Sequence, residues 1–416
     1  MGLGEEGKNF PQKVFPSSPI SNQNQKYKGD LSMKVLTAAQ IGCGKFAQSQ
    51  DFPNMTAHPN VNLKWACDTN LEQAQAVAKQ FNVPCTTADF MDVLNDPEVD
   101  FIKIATSHEA HLPIIEAAAK AGKHIFCEKP MAMQDEEAFK IIRAVRRGNV
   151  KLCVDLNRRM SPALQALRAK WMEHGKNPQH NPWRYVQVER EPLPEENLPH
   201  LNIRIQDESS SYGLGHLDPL TGGGEIIGES VHWLDVACWF FAPARPVAIT
   251  AWGSSRLSHG IYLKFDNGAY MTLDFSFSGT FDFPKEQYEV THNAALFRSL
   301  CFMENNYYGF PGAGAEYFEM QYGTAKSQAE YMEQYMKRVS GVDNLRNIEN
   351  SKPFFVDKGH RSMLDGFVKA IINDTPSPCD EMAGYLSVYL ARRAIESLNL
   401  GMTLPLPIEQ ITPCIV

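Results

Sequence analysis

Apolar and polar positions alternate along residues 34–156 in two repeating registers. Short apolar runs at Val35–Ile41, Val61–Cys67, Phe101–Ala105, His124–Cys127 and Lys151–Val154 read as buried strands. Amphipathic stretches at Leu71–Phe81, Leu112–Ala121 and Glu136–Arg147 lie between them. In Leu112–Ala121 the apolar Ile114, Ile115 and Ala118 recur at helical spacing, which turns one face toward a core. Thr87-Ala88-Asp89 ahead of Phe90 and Met91 reads as a helix start. Strand–helix–strand alternation with short connections predicts a parallel, doubly wound sheet.

Past about residue 157 the texture changes. Pro178, Pro182, Pro192, Pro194 and Pro199 interrupt residues 175–224. Gly222 to Phe241 then reads as a glycine turn feeding a helix. Val247–Trp252, Ile261–Phe265 and Tyr270–Phe277 alternate as strands of a second sheet, the last two joined by the hairpin signal Asp266-Asn267-Gly268. Glu316–Val339 and Met382–Leu398 carry helical periodicity. Residues 1–32 are polar and lack the apolar core of a secretory signal; they read as a disordered extension or an arm on a partner subunit, with Met33 a candidate alternative start. There is no internal repeat.

Composition narrows the function classes. The 416 residues favour two domains, and 43% apolar content suffices for ordinary cores. A net charge of −8 with both signs scattered argues against a nucleic-acid partner. No run approaches the roughly 18 apolar residues of a membrane span. The nine cysteines show no Cys-x-x-Cys spacing, so neither a metal site nor a disulfide framework is expected, and reduced thiols fit a cytoplasmic protein.

The chemistry-bearing positions fall at strand ends. Gly42-Cys43-Gly44-Lys45-Phe46-Ala47 follows the first strand: Gly42 permits a tight turn, Gly44 lets backbone approach a pyrophosphate, and Ala47 lets the next helix pack closely. Asp68, 26 positions after Gly42, ends the second strand, where a carboxylate accepts from adenosine ribose hydroxyls and repels a 2′-phosphate; alternatively it caps the helix near Leu71. Thr69 follows, with no adjacent arginine, so NAD is favoured over NADP. The third strand ends in Thr106-Ser107-His108, with Thr106 the expected nicotinamide-side contact and His111 a cap or packing group. Glu128-Lys129-Pro130 ends the fourth helix-linked strand at the same sheet edge. There the Lys129 ammonium can hold a substrate hydroxyl and stabilise negative charge as hydride leaves.

These motifs, with Asn157-Arg158-Arg159-Met160-Ser161-Pro162 and Gly222-Gly223-Gly224 leading to His232 and Asp235, resemble the glucose–fructose oxidoreductase, inositol dehydrogenase and rhizopine-catabolism (Gfo/Idh/MocA) family, in a divergent subgroup. The resemblance spans residues 34 to roughly 400. It implies an α/β chain with an NAD-binding Rossmann domain at 33–157. A C-terminal α+β domain at 158–416 would carry a large open, mostly antiparallel sheet for substrate binding and for oligomerisation as a dimer or tetramer. It also implies hydride transfer on a sugar or cyclitol. Lys129 matches the family's active-site lysine and His232 its acid–base histidine. The implied cofactor contacts are Gly42 to Ala47, Asp68, Thr69, Thr106, Ser107, His108, His111, Glu128 and Lys129. The implied substrate contacts are Lys129, Arg158, Arg159, Glu229 and His232.

One position departs from the family pattern: Gly228 stands where an aspartate is usual. Glu229 or Glu225 is a candidate replacement, although a one-residue offset on a helix turns a side chain by about 100°. Asp235 either orients His232 or bonds nearby backbone. One of Arg158 and Arg159 is expected on substrate or the domain interface, the other in an ion pair. Tyr307, Tyr308, Phe310, Tyr317 and Phe318 either roof a sugar pocket or pack in the core. Two other functions stay open: an NAD-dependent glycoside hydrolase working by transient oxidation and elimination, and a non-catalytic dinucleotide-binding regulator.

Overall fold

A computed structural model describes residues 34–177, 197–207, 214–218, 222–279, 285–320, 323–324 and 356–407. The N-terminal extension with Met33, Pro178 to Pro194 and residues 325–339 lie outside the described residues. Six strands form the first sheet: β1 (Leu36–Ile41), β2 (Val61–Cys67), β3 (Cys85–Thr87), β4 (Phe101–Ile104), β5 (His124–Cys127) and β6 (Leu152–Val154). They pair in parallel in the order β3-β2-β1-β4-β5-β6. The order reverses between β1 and β4, so a crevice opens at the carboxyl ends of those two strands.

Local chemistry sets the helices α1 (Phe52–Ala57), α2 (Leu71–Phe81), α3 (Phe90–Asn95), α4 (His111–Lys120) and α5 (Asp135–Gly148). Asn70 caps α2 by accepting from the Gln73 N–H, and Asp89 caps α3 through the Met91 N–H. A capping box between Gln134 and Glu137 starts α5. Acids in its first turn and Arg146 and Arg147 in its last complement the helix dipole.

The remaining helices are α6 (Pro162–Lys170), α7 (Leu214–Leu217), α8 (Val231–Phe241), α9 (His360–Asn373) and α10 (Glu381–Leu400). The later strands are β7 (His200–Gln206), β8 (Pro246–Gly253), β9 (His259–Phe265), β10 (Tyr270–Ser276), β11 (Glu286–His292), β12 (Ala295–Leu300), β13 (Glu304–Tyr308), β14 (Ala315–Tyr317), β15 (Glu319–Met320), β16 (Gly323–Thr324) and β17 (Leu404–Pro405). Nine of these form one sheet in the order β14-β13-β12-β11-β7-β10-β9-β8-β17, antiparallel except between β7 and β10. Leu201, Ile203 and Ile205 of β7 and Met271, Leu273 and Phe275 of β10 point to the buried face. Residues between them, such as Asn202, Arg204, Thr272 and Asp274, form a polar opposite face. Trp233 and Phe241 of α8 pack on Phe275 and Phe265, covering the apolar side.

The C-terminal helices join the two sheets. Phe367 of α9 packs against Phe101 and Phe126 of the first sheet. Tyr385 of α10 meets Phe139 of α5, while Ser397 Oγ accepts from the Ala251 N–H of β8.

One expectation changes and one pair of alternatives is decided. Glu316–Val339 does not begin as a helix: its described part is β14 and the β15–β16 hairpin, because Glu304 to Asn306 of β13 offer a ladder for Ala315 to Tyr317. The aromatic group does not roof a pocket. Phe310 stacks on His174 and Phe297, the Tyr307 hydroxyl donates to Glu316, and Tyr308 and Tyr317 face outward. Among the described residues no helix is long and apolar enough to cross a membrane, and the eight described cysteines are free thiols.

Candidate active site

The glycine turn closes β1 onto β4. Gly42 has φ +92°, and a Cβ there would lie 2.2 Å from the Ala105 carbonyl oxygen, so glycine is required on both counts. A Cβ on Gly44 would meet nothing within 4 Å: the backbone over the start of the following helix is an open cradle. Ala47 is fully buried beneath it. Asp68 turns one carboxylate oxygen to the Cys43 N–H (2.8 Å) and the other to the Asn70 N–H (2.9 Å), which fixes the acid beside the turn. It does not cap α2; Asn70 does. Thr69, Lys45 and Ser107 are exposed along this shelf. Burial, with Asp68 and Cys67 adding, pushes the Cys43 thiol up to about 12, the behaviour of an inert filler.

A cavity of ≈370 Å³ opens at the crevice. Of the residues singled out from sequence, Phe46, Thr106, His108, Glu128, Lys129, Arg158, Glu229 and His232 line it, and His216, Lys285, Lys358 and His360 join them unannounced. Arg159 and His111 do not. Arg159 donates to Asp235 of α8 and to the Pro378 carbonyl ahead of α10. That contact also occupies Asp235, which therefore does not orient His232. His111 is fully buried behind the Lys129-Pro130 turn, with Nδ1 3.0 Å from the Pro130 oxygen. Burial lowers its pKa to about 4.

Lys129 Nζ donates to Glu229 Oε1 (2.6 Å) and to the Gly228 carbonyl (2.7 Å). Burial would raise the Glu229 pKa, but the charges of Lys129, Lys285 and Arg158 outweigh it and hold it down at about 2. Glu229 thus carries the lysine partnership, while Glu225 meets His216. His232 is 4% exposed and its Nδ1 has no hydrogen-bond partner among the described residues. Burial, reinforced by Arg158, Lys129, His360 and Lys358, drives its pKa well below the ordinary histidine value, so the ring is neutral.

The cavity walls are built on buried ion pairs. Arg158 grips Glu286 through Nε and Nη2, both 2.8 Å, and Glu286 also accepts from Tyr288 (2.6 Å) and Trp233 (3.2 Å) and meets Lys358 (3.3 Å). Lys285 pairs with Asp207 at 2.5 Å. Beneath, Lys103 of β4, 1% exposed, meets Glu128 (2.5 Å), Asp155 (3.0 Å) and Asp51 (3.5 Å). These three carboxylates lie close enough together to suggest a cation site, and the Lys103 ammonium is the cation they meet. Burial opposes that charge, yet Asp155, Asp51 and Glu128 hold it well above the usual lysine value. Glu128 is thereby anchored as a wall and not presented as a free carboxylate.

Gly42 abuts Ala105 and Thr106, which line the cavity, so the turn that carries Gly44, with the Asp68 carboxylate beside it, adjoins the pocket at Thr106 and Lys129. Residues 36–156 match the Gfo/Idh/MocA family, described as an oxidoreductase family with an NAD-binding Rossmann fold. That match covers the parallel sheet and the helices between its strands. The uncharacterized oxidoreductase YrbE of Bacillus subtilis (strain 168) is 24% identical over 392 residues, covering 90% of this chain and 97% of YrbE. Levoglucosan dehydrogenase of Pseudarthrobacter phenanthrenivorans is 38% identical over 112 residues, 27% of this chain and 28% of that enzyme. Among solved structures, a levoglucosan dehydrogenase complex with NADH and levoglucosan superposes with TM-score 0.69 at 19% identity, covering 90% of this chain and all of that one (100%). An Agrobacterium radiobacter oxidoreductase in complex with NAD+, L-tartaric acid and magnesium gives TM-score 0.68 at 19% identity, covering 89% and 98%. At such identities the structures establish a shared fold. The chain is an NAD-binding oxidoreductase.

Proposed function

We propose that the chain is a dehydrogenase that moves hydride between NAD and a secondary hydroxyl of a sugar, cyclitol or related polyol. The observation carrying this reading is that Lys129 and His232, remote in sequence, line one cavity at the carboxyl edge of the parallel sheet, beside Thr106. The relatives named for sugar and cyclitol dehydrogenation support the substrate class.

Bound NAD supplies the hydride acceptor. Gly42 to Ala47 form its backbone cradle, Asp68 and Thr69 face the adenosine ribose, and Thr106, Ser107, His108 and Glu128 border the nicotinamide half. Asp68 disfavours an added 2′-phosphate. Lys129, held by Glu229, stabilises negative charge on the reacting oxygen. His232, neutral, hydrogen-bonds the same hydroxyl and takes its proton as hydride leaves the carbon, and Arg158 closes the substrate side. We take 33–157 as the NAD-binding domain, 158–416 as the substrate and oligomerisation domain, the open polar sheet face as the contact between copies, and the free thiols as those of a cytoplasmic enzyme.

Incubation with NAD and a panel of polyols tests the reading. Growth of the reduced-nicotinamide absorbance band with at least one polyol is expected. Tight NAD binding without turnover on any of them would favour a regulator. Cleavage of an aryl glycoside with no net NADH would favour redox-assisted elimination.

A further inference from the structure

The cations of the cavity line it, and most of their counter-charges stand behind the wall. Lys129, Arg158, Lys285 and Lys358 are lining residues, whereas Glu286 and Asp207, the acids that pair with the last three, are not. Both acids are fully buried, while the Lys285 and Lys358 side chains are 18% and 29% exposed. An ammonium carries three N–H donors, so the one carboxylate that Lys358 meets among the described residues does not saturate it.

The charges on this side do not balance. Lys129 pairs with Glu229, Lys285 with Asp207 and Arg158 with Glu286, and Lys358 shares Glu286 at 3.3 Å. Four cations therefore meet three carboxylates, and one positive charge is left over among the described residues. The neighbouring groups do not cancel it. Burial pushes Glu128 and Asp51 toward the neutral form, so the cluster beneath reduces to the ion pair of Lys103 with Asp155. Burial also raises Glu225, behind His216. His108 and His232 are held neutral by burial and the surrounding cations, and His216 and His360 can add only positive charge. Lys358 registers the excess: burial lowers its pKa, and the like charges of Lys285 and Arg158 add to that against the pull of Glu286. A cleft lined by one sign of charge concentrates ligands of the other.

We infer that the substrate is a sugar acid, whose carboxylate sits against Lys358, Lys285 and Arg158 while its reacting hydroxyl sits at Lys129 and His232. The inference rests on the dehydrogenase reading and narrows it. One surplus positive charge suits a carboxylate, a monoanion, better than a phosphate, which carries about −1.5 to −2 at neutral pH. Arg158 and Lys358 act electrostatically on His232 together with Lys129, so the acid-binding corner adjoins the reacting hydroxyl. The diphosphate of NAD belongs over the Gly44 backbone in that reading, which leaves these cations to the substrate. Ammonium-to-carboxylate hydrogen bonds are charge-assisted and about twice as strong as neutral ones, so they set both affinity and choice of substrate.

The test uses the full chain with NAD and matched sets of neutral sugars, their uronic and aldonic acids, and their phosphates. The best acid should exceed its neutral counterpart in kcat/KM by roughly 10–100-fold, and added salt should shrink that ratio. Lys358→Met should cut the ratio by roughly tenfold or more, with the loss in KM, while NAD affinity read by fluorescence titration stays within a few-fold. Lys358→Arg, which keeps the charge, should retain most of the ratio. Calorimetric titration of the NADH complex gives a readout apart from turnover: the acid should bind more tightly than its neutral counterpart, and less tightly to Lys358→Met. Should the variants fail to fold, the wild-type comparison of acid with neutral sugar stands by itself. Neutral sugars turned over as well as every acid would overturn the inference and leave the dehydrogenase reading intact. A preference for phosphates would overturn it as well. So would lost NAD affinity with an unchanged acid preference in Lys358→Met, which would assign the cation to the cofactor. No turnover of any sugar, acid or phosphate would count against the dehydrogenase reading itself, and the calorimetric comparison would still decide the anion site.

Discussion

Adding one methyl group at position 228 should have opposite effects depending on residue 216. The position lies in the helical turn Ile226–Ser230 and is fully enclosed. With His216 in place, the new Cβ would stand 2.5 Å from Cε1, about 1 Å inside ordinary contact, and the ring is braced by Gly222 and Glu225. Overpacking of this kind costs about 1–3 kcal/mol. Against it stands the helix preference of alanine over glycine, about 1 kcal/mol. Gly228→Ala alone should therefore destabilise by up to about 2 kcal/mol. In a His216→Ala background the clash is gone, and the same substitution should stabilise by up to about 1 kcal/mol. The coupling between the two sites is then about 1–3 kcal/mol. Urea unfolding of the four proteins, followed by tryptophan fluorescence at one pH, measures it. Equal effects of Gly228→Ala in both backgrounds would refute the packing argument.

Glu286→Gln should cost about 3–5 kcal/mol, because Arg158 would keep a buried charge without its bidentate partner; a urea midpoint shift of under 1 kcal/mol would contradict this. His111 is neutral in the fold, with its pKa lowered by burial from the ordinary 6.5 to about 4. The unfolded chain takes up the proton first as pH falls, so this contribution is full above about 6.5 and declines from there toward about 4. Unfolding midpoints at pH 7.5 and 5 should show His111→Gln flattening the decline by about 2 kcal/mol, and an unchanged slope would place the titration elsewhere. Asp68→Ala should weaken NAD by about 10–100-fold, the worth of a charge-assisted hydrogen bond to ribose, while relaxing the bias against NADP; equal NAD affinity in a fluorescence titration would move the ribose contact off this residue.

Most of the first sheet was legible because β1, β4, β5 and β6 are buried along nearly their whole length, whereas β3, three residues long and half-buried at the sheet edge, leaves no apolar run to read. Apolar runs such as Val61–Cys67 and His124–Cys127, and the helix Leu71–Phe81, carry their own boundaries. The second sheet was only partly legible. β11 reads Glu286 to His292, with its polar residues split between a solvated face and a buried ion pair, so its alternation lacks the apolar contrast that marks a strand. Lys129, His232, Arg158 and the glycine turn announced themselves through spacing. Lys285, Lys358 and His360 did not, since Lys285 and Lys358 lie just ahead of β11 and α9 and His360 opens α9, all placed by long-range packing. The substitution at Gly228 was visible in the sequence; the residue filling the space was not, because His216 lies in a proline- and glycine-rich stretch without periodicity.

The central claim is that the Lys129 ammonium acts on the reacting oxygen in a cavity that NAD completes. It is tested most directly by comparing polyol-dependent NADH formation in the wild-type chain and in Lys129→Ala, with NAD binding measured in parallel. Binding kept within a few-fold and kcat reduced by roughly 10²–10³ is the predicted result. Equal turnover in the two proteins would contradict the account.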